Sequence, residues 1–405
     1  MYNCRKIAPD LYWVGASDRR LALFENLFPV PRGVSYNSYL LTDEKTVLLD
    51  TVDHAVSRVF LENLEHLLAG RGLDYVVVNH MEPDHCATLR TLLGLWPDAK
   101  VVCTAKAAQM IGQFFDPALA ARAETVAEGS TLCTGRHTLR FVTAPMVHWP
   151  EVMVTFDETD GTLFSADAFG SFGALNGNLF ADEVDFARDF LPDARRYYAN
   201  IVGKYGAQTA ALLKKAAALD IKMICPLHGP IWRENIGWFV EKYQRWSQWQ
   251  PEEQAVMIVY GSMYGNTEDA AERLASALAE AGVRGIAMYD ASVTDVSVLV
   301  GEAFRCSHLV LACPTYNGGL YPKIEELLNH LKGAGLQKRT VALIENGSWA
   351  PTAAKGMRAA LEDMKAMTVL EESLAVKSSL KEDQLSALDA MAKALAQGLV
   401  QQPAG

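Results

Sequence analysis

Two patterns of apolar and polar residues divide the chain. From Ala255 onward, short apolar runs alternate with longer segments whose apolar residues recur every three or four positions. The runs predict strands at Val256–Tyr260, Ile286–Tyr289, His308–Ala312, Val341–Glu345 and Thr368–Leu374. The longer segments predict helices at Thr267–Ala281, Val296–Phe304, Ile324–Lys332, Ala353–Met364 and Asp383–Gln397. Regular alternation of strand and helix predicts a doubly wound parallel sheet.

The first half of the chain mixes strands and helices without this rhythm. Apolar runs predict strands at Asn37–Leu41, Thr46–Asp50, Tyr75–Val78, Val101–Thr104, Leu139–Thr143, Val152–Phe156, Thr162–Ser165 and Met223–Cys225. Helices are predicted at Arg195–Tyr205 and Thr209–Leu219. The pattern changes just after a polar segment, residues 246–254, that contains Pro251. We therefore expect one domain over residues 1–250 and a second over residues 251–405.

A loop rich in hydroxyl groups connects the first strand and the first helix of the second half. It contains Ser262, Met263, Tyr264, Gly265, Asn266 and Thr267. Backbone amides and the helix dipole favour an anion at such a helix N-terminus, and the Ser262 and Thr267 hydroxyls add hydrogen bonds. The loop has neither the GxGxxG nor the Walker pattern. It predicts a phosphate site, with a plain strand–turn–helix connection as the alternative.

Two more loops follow the carboxyl ends of neighbouring predicted strands, where doubly wound sheets bind ligands. One consists of Pro314, Thr315, Tyr316, Asn317, Gly318 and Gly319, and the other of Asn346, Gly347, Ser348 and Trp349. Tyr316 and Trp349 offer flat faces to a ring system, and either one alone is also compatible with a packed aromatic residue.

Potential metal ligands gather after the strand Tyr75–Val78. His80, Glu82, Asp84 and His85 lie in one loop that Pro83 stiffens, and His148, Asp167 and His228 follow later strands or loop edges. Imidazole and carboxylate groups together suit zinc or iron. The remaining histidines have no such neighbours and are interpreted as surface or packing residues, namely His54, His66, His137, His308 and His330.

Composition restricts the environment and the partners. Half of the 405 residues are hydrophobic and 21% are charged, as in a globular protein. A net charge of −11 disfavours nucleic acid and anionic membranes as partners.

The sequence contains no apolar run of the signal-peptide or membrane-helix type, so we expect a cytoplasmic protein. The seven cysteines form no CxxC pair, which predicts free thiols rather than disulfides, a zinc ribbon or an iron–sulfur cluster.

The motifs resemble those of known families. The three loops of the second half are similar to those of flavodoxin, whose ligand is FMN. By that resemblance, residues 262–267 hold the phosphate and the other two loops flank the ring. The ligand order of the first half resembles the metallo-β-lactamase fold, an αββα sandwich with two metals. Glu82 stands where zinc hydrolases of that fold have a histidine, and the added carboxylate favours iron over zinc.

Taken together, the motifs HxExDH, HWPE, SAD, HGPIWR, SMYGNT, PTYNGG and NGSWAP resemble the flavodiiron proteins over the whole chain. The resemblance implies an oxidoreductase that passes electrons through FMN to two non-haem irons and reduces dioxygen to water, nitric oxide to nitrous oxide, or both. It implies one iron held by His80, Glu82 and His148 and a second held by Asp84, His85 and His228, with Asp167 as the bridge. Family members differ in whether the histidine at the position of His85 reaches its metal.

The resemblance also implies partners. The usual electron donor of the family is a rubredoxin, and a deazaflavin- or nicotinamide-linked reductase is an alternative. Family members form head-to-tail homodimers, some of them paired into dimers of dimers. Trp149, Tyr197 and Tyr198 are candidates for lining the metal pocket, and core packing is an equally good interpretation of each.

Two other functions fit parts of the sequence. One is a binuclear zinc hydrolase with an appended flavodoxin-like domain, which Glu82 and the flavin loops disfavour. The other is an electron carrier with a scaffold domain, which the complete set of candidate ligands disfavours.

Reduction of dioxygen to water takes four electrons, and a reduced FMN and a diferrous pair hold two each. The ligand set does not choose between the two gases.

Overall fold

The computed structural model describes residues 2–400, which divide into two compact units. The first unit comprises the described residues up to Tyr198 together with Ala207–Gln244. The second unit comprises Ala199–Gly206 and the described residues from Arg245 onward.

Two sheets form the core of the first unit. Its strands are β1 (Arg5–Ala8), β2 (Leu11–Trp13), β3 (Ala16–Asp18), β4 (Leu23–Phe24), β5 (Phe28–Pro29), β6 (Val34–Tyr36), β7 (Tyr39–Thr42), β8 (Thr46–Leu49), β9 (Tyr75–Val78), β10 (Lys100–Thr104), β11 (Ala123–Val126), β12 (Thr131–Cys133), β13 (Thr138–Thr143), β14 (Met153–Asp157), β15 (Thr162–Phe164) and β16 (Met223–Cys225). One sheet has the order β1-β2-β7-β8-β9-β10-β11 and the other has the order β12-β13-β14-β15-β16. The sheets face each other, since the rings of Tyr39 and Phe164 lie 5.5 Å apart.

Helices complete this unit. The helices are α1 (Ser57–Leu68), α2 (Pro83–Cys86), α3 (Leu89–Leu95), α4 (Ala105–Phe114), α5 (Pro117–Ala120), α6 (Phe186–Asp189), α7 (Leu191–Tyr197), α8 (Gly206–Ala216) and α9 (Ile236–Ser247). The predicted helix Arg195–Tyr205 is helical throughout but is not one α-helix. Helix α7 ends at Tyr197, and a π-helical turn, Tyr198–Val202, and a 3-10 turn, Gly203–Tyr205, continue it into residues of the second unit. Gly203, at the start of the 3-10 turn, and Gly206, directly after it, disfavour a regular α-helix there.

The second unit contains the doubly wound sheet. Its strands are β17 (Glu253–Tyr260), β18 (Ile286–Asp290), β19 (Cys306–Tyr316), β20 (Gly319–Leu320), β21 (Thr340–Asn346) and β22 (Thr368–Val376), and its helices are α10 (Asn266–Glu280), α11 (Val296–Arg305), α12 (Pro322–Gly333), α13 (Ala353–Glu362) and α14 (Leu385–Val400). The order is β18-β17-β19-β21-β22, all parallel, with β20 antiparallel to the end of β19. Buried residues of β17, β19 and β21 pack against Leu274 of α10 and Leu388 of α14. The predicted parallel sheet is therefore confirmed, and its order places the loops after β17, β19 and β21 at one edge.

Across residues 2–400, none of the helices combines the length and the apolar character that crossing a membrane requires. All seven cysteines are free, as predicted.

A polar network joins the two sheets of the first unit at their turns. Asp43, between β7 and β8, accepts hydrogen bonds from the Thr134 hydroxyl (2.8 Å) and the His137 backbone amide (2.9 Å). The ring of His137 donates from Nδ1 to Asp157 Oδ2 over 2.8 Å. Partial burial opposes ionisation of Asp43, but hydrogen bonds to its carboxylate, from His137 first, lower its pKa to about 2.

We expect Asp43→Ala to lower the free energy of unfolding by about 1–3 kcal/mol at pH 7, because two donors lose their acceptor. The pKa of Asp43 is lower in the folded state than the ordinary value of 3.8, so its stabilisation is complete above that value and disappears as the pH falls towards 2. Urea unfolding of the wild type and the variant at pH 7 and pH 3 measures this difference. Asp220→Ala, which removes an exposed carboxylate, is the control. An equal loss at both pH values would contradict the role of the ionised carboxylate.

Candidate metal and cofactor sites

The candidate metal ligands converge at one edge of the first unit. His80 and Glu82 follow β9, Asp84 and His85 lie in α2, and the other three follow β13, β15 and β16. Strands β8 and β9 are parallel, so their carboxyl ends share this edge. Asp50, at the end of β8, accepts from the backbone amides of Asn79 (2.7 Å) and His80 (3.2 Å) and so holds the start of the ligand loop.

One group of side chains contains His80, Glu82, His148 and Asp167. Glu82 Oε2 lies 3.1 Å from His80 Nε2 and 2.9 Å from His148 Nε2. Asp167 Oδ2 lies 3.4 Å and 3.1 Å from the same two nitrogens. All four donor atoms therefore point to a common centre.

A second group contains Asp84, His85 and His228. Asp84 Oδ2 lies 3.3 Å from His85 Nε2 and 3.2 Å from His228 Nε2, and these two nitrogens are 3.1 Å apart. The other oxygen of Asp167, Oδ1, lies 3.1 Å from His85 Nε2 and 3.8 Å from His228 Nε2. Asp167 therefore presents one oxygen to each group.

The polar atoms of the cluster need a cation. Both carboxylate oxygens of Asp84 are buried and accept no hydrogen bond from any group within residues 2–400, although two imidazole nitrogens stand close to Oδ2. A buried carboxylate without a partner is costly. Four imidazoles and three carboxylates in two connected groups match the ligands of a dinuclear site of borderline to hard metal ions. The residues present therefore fit a metal pair.

Further hydrogen bonds orient the histidine rings. His80 donates from Nδ1 to Glu151 Oε1 over 2.8 Å, and the same oxygen accepts from the Met81 amide over 2.9 Å. His228 donates from Nδ1 to the carbonyl oxygen of Ser35 over 2.7 Å. These contacts leave Nε2 of both rings directed at the centre, the arrangement that outer contacts of metal-ligating histidines produce.

Histidines and carboxylates of the cluster stabilise each other's charged forms. Burial by itself lowers the pKa of His148, but hydrogen bonds to Asp167 and Glu82 raise it to about 9. Burial likewise disfavours the ionised form of Asp167, yet His85 and His80 hold the pKa of that carboxyl well below its usual range. Positive charge thus stabilises the carboxylates of this pocket.

Aromatic and acidic side chains surround the cluster. Tyr197 is fully buried with its ring 5.5 Å from that of His228, and the Trp149 ring lies 5.4 Å from that of His80. Tyr198 packs instead against Tyr243, at 5.0 Å. Two of the three candidate lining residues are therefore next to the candidate ligands.

Glu25, in the turn between β4 and β5, lies near the cluster and was not among the predicted site residues. Loss of surrounding water, together with repulsion from Glu82, raises its pKa to about 8, although the side chain keeps part of its exposure. No local pattern identifies this residue, because the contact with Glu82 joins positions far apart in the sequence.

A separate cluster contains His137, Asp157 and Asp160. The Arg136 guanidinium lies among them, donating to Asp160 over 2.6 Å and approaching His137 Nε2 at 2.8 Å. An arginine therefore supplies the positive charge here, and His137 belongs to the packing network described above.

The second unit contains a cavity of about 450 Å³ at the edge where β17, β19 and β21 end. Every residue of the three predicted loops lines it except Gly265 and Gly319. Ala350, Thr352 and Ser378 also line it and were missed. Ser378 follows β22, so its proximity depends on strand order. The volume is that of a pocket for a small organic cofactor.

The first loop has the geometry of an anion cradle. Gly265 adopts φ +91°, directly before α10, and its amide donates to the Ser262 hydroxyl over 3.1 Å. The first-turn amides of α10 have no partner within the helix. Thr267 is buried and accepts from the Asn346 side chain at 3.3 Å, which ties the first loop to the third. The residues present therefore fit a cofactor whose phosphate binds at the first loop and whose ring system binds near Tyr316 and Trp349.

Comparisons with known proteins agree with both sites. Residues 34–229 match the family described as ODP family beta lactamase, and residues 258–391 match the family described as Flavodoxin. The flavodiiron protein from Giardia intestinalis has a crystal structure with a TM-score of 0.92 at 28% identity, covering 98% of this chain and 97% of that chain. The anaerobic nitric oxide reductase flavorubredoxin of Escherichia coli O1:K1 / APEC is 33% identical over 381 residues, 93% of this chain and 78% of the relative.

The chain belongs to the flavodiiron protein family. The rubredoxin oxygen:oxidoreductase of Desulfovibrio gigas is a further similar structure, with a TM-score of 0.90 at 27% identity over 98% of this chain and 99% of that chain. Membership confirms the predicted family, the β-lactamase-like and flavodoxin-like fold classes and the oxidoreductase class. It supports the flavodiiron prediction, with FMN and iron as cofactors, over the zinc hydrolase.

Proposed function

We propose that this flavodiiron protein reduces dioxygen or nitric oxide at a pair of iron ions in its first unit, with electrons from FMN in its second. The observation that carries the proposal is the division of Asp167 between two groups of ligand atoms. We further propose that residues 1–250 form the diiron domain and residues 251–405 form the FMN domain.

The proposed ligands are the residues of the two groups. His80, Glu82 and His148 would hold one iron, Asp84, His85 and His228 would hold the other, and Asp167 would be shared between them. The ring of His85 supports its inclusion, because its Nε2 lies among the donor atoms of the second group. When bound, the iron pair supplies electrons and open coordination positions to a diatomic gas.

The surrounding residues control access and proton supply. Trp149 and Tyr197 exclude water from the ligand cluster, which strengthens the electrostatic interactions inside it. The Tyr197 hydroxyl has no hydrogen-bond partner within the described part of the chain, so it is free to donate to a small ligand in the pocket. Burial beside Asp167 raises the pKa of Tyr197, which keeps that proton in place.

The proposed FMN site is the cavity of the second unit. Ser262, Thr267 and the first-turn amides of α10 hold the phosphate, while the loops after β19 and β21 flank the ring. Tyr264 and Trp349, which line this cavity, are each 92% exposed. Exposed aromatic surface at the rim of this cavity is available to a protein partner.

Partners and location complete the proposal. The names of the similar proteins support a rubredoxin-type electron donor, since one is a flavorubredoxin and another a rubredoxin oxygen:oxidoreductase. We further propose a head-to-tail homodimer, supported by the family resemblance and the exposed rings at the cavity, and a reducing compartment, the cytoplasm, supported by seven free cysteines.

Metal analysis and rapid mixing test this function. We expect yellow protein with about two irons per chain and little zinc. After full reduction, stopped-flow mixing with each gas should reoxidise iron and flavin faster than free FMN reacts, without release of peroxide. Failure of both gases to do so would refute the proposal, and two zinc ions with hydrolase activity would establish the alternative.

A further inference from the structure

A second large cavity, in the first unit, is lined by arginines. It has a volume of about 640 Å³ and lies between segments that are distant in the sequence. Arg5 comes from β1, Arg19 and Arg20 follow β3, and Arg58 lies in the first turn of α1. Among the described residues that line it, Asp18 is the only carboxylate. The cavity shares no residue with the candidate metal ligands or the flavin pocket.

Two of these guanidinium groups are not paired with a carboxylate in the described part of the chain. Arg19 donates to the carbonyl oxygen of Leu175 over 2.6 Å. A carbonyl oxygen carries no net charge and so does not neutralise the guanidinium. Within residues 2–400, neither Arg19 nor Arg20 forms an ion pair with a carboxylate. The carboxylate of Asp18 accepts from the backbone amides of Arg20 (2.8 Å) and Leu21 (3.2 Å) through Oδ1, and its negative charge offsets one of the two arginines. With Arg5 and Arg58 paired to Glu183 and Glu62, the lining keeps one net positive charge.

The other two arginines keep their position through neighbouring acids. Arg5 binds Glu183 at 2.5 Å and the carbonyl oxygen of Gly177 at 3.0 Å, and Arg58 binds Glu62 at 2.6 Å. Arg5 is held on two sides, while the side chain of Arg58 is 74% exposed, so that its ion pair with Glu62 is weakened by solvent. A bound anion would thus meet Arg5 in a fixed position and Arg58 in an ion pair that the anion can replace.

The remaining lining defines the ligand further. Ser17 accepts from the Leu175 amide at 3.1 Å, which leaves its own hydroxyl hydrogen available to an acceptor. Trp13, Val56, Val59 and Leu175 provide apolar walls. Concave unpaired positive charge in a protein of net charge −11 selects locally for anions. Guanidinium groups bind phosphate and carboxylate oxygens in pairs.

We propose that this cavity binds a small organic polyanion of about nucleotide size, with two or more phosphate or carboxylate groups held by Arg19, Arg20 and Arg58. Phosphate esters and polycarboxylates share the required chemistry. Binding does not depend on the reaction at the metals, so its failure and the failure of the proposed function are separate results.

Isothermal titration of the FMN-loaded holoprotein with pyrophosphate and with citrate, at constant ionic strength, tests the proposal. FMN occupies the phosphate loop of the second unit, so that loop does not contribute to the signal. We expect saturable binding of at least one probe at one site per chain. Tighter binding of pyrophosphate would identify a phosphate ligand, and tighter binding of citrate a carboxylate ligand.

Charge-removing variants locate the binding. Arg19→Gln with Arg20→Gln should weaken binding at least about tenfold, since two charge-assisted contacts to the anion are lost. Arg20→Gln alone should weaken it at least about threefold, and it removes no described side-chain contact. Arg188→Gln with Arg273→Gln, two arginines outside the cavity, is the matched control and should bind like the wild type. Absence of saturable binding of both probes, or equal binding by the cavity variants and the control, would overturn the proposal.

Discussion

Replacing Asp167 by alanine should remove both metal ions from the protein. Asp167 directs Oδ2 to the group of His80 and His148 and Oδ1 to the group of His85 and His228. No other carboxylate of the two groups is shared in this way. Its removal takes a ligand from each position and leaves four imidazoles with less negative charge to balance two cations. Loss of an outer contact alone typically costs 10–100-fold in metal affinity, so we expect more than about 100-fold here.

Iron per chain and the magnetic coupling between the irons measure this effect. Asp157→Ala is the matched control, because Asp157 is also a buried carboxylate of the first unit that binds a histidine, His137. It should lower stability and leave the metal content unchanged. An Asp167→Ala protein with two irons and unaltered coupling would disprove the bridging role. Loss of iron in both variants would show that the defect is one of folding.

Replacing Gly265 by valine should yield protein that retains its metals and lacks flavin colour. Gly265 has φ +91°, a conformation that β-branched residues avoid, and nothing lies within 4 Å of the position where its Cβ would stand. The effect is therefore one of backbone conformation rather than a clash. Strain of about 1–3 kcal/mol would turn the peptide that donates to Ser262 and displace the first-turn amides from the phosphate position.

A second glycine of the same helix provides the control. Gly282, just after α10, has φ +88° and equally open surroundings, but it lies at the other end of the helix from the proposed phosphate site. Gly282→Val introduces similar strain and should keep its flavin. We expect the FMN dissociation constant to rise at least about tenfold in Gly265→Val only, as measured by fluorescence titration of the apoprotein. Full flavin content in that variant would disprove the assignment of the loop.

Much of the molecule follows from local sequence patterns. Strands β9, β16, β17, β18, β19, β21 and β22 are apolar enough to be recognised, as are the helices between the later strands, because burial on both faces produces continuous apolar runs. The residues that approach the metals and the flavin cluster in loops after such strands, so strand prediction and residue type together identified the candidates. The short strands β1 to β6 were missed, since two to four residues cannot show a periodic pattern.

The sequence by itself determined the fold classes, the order of the two units and the candidate ligands, because each of these depends on neighbouring residues or on recognisable motifs. The tertiary structure alone decided which oxygen of Asp167 faces which histidines, that Glu25 lies beside Glu82, and that Ser378 joins the flavin cavity. It also decided that Arg5, Arg19, Arg20 and Arg58 surround one cavity. These properties depend on distances between segments that are far apart in the chain, and such distances arise only when sheets close and loops pack.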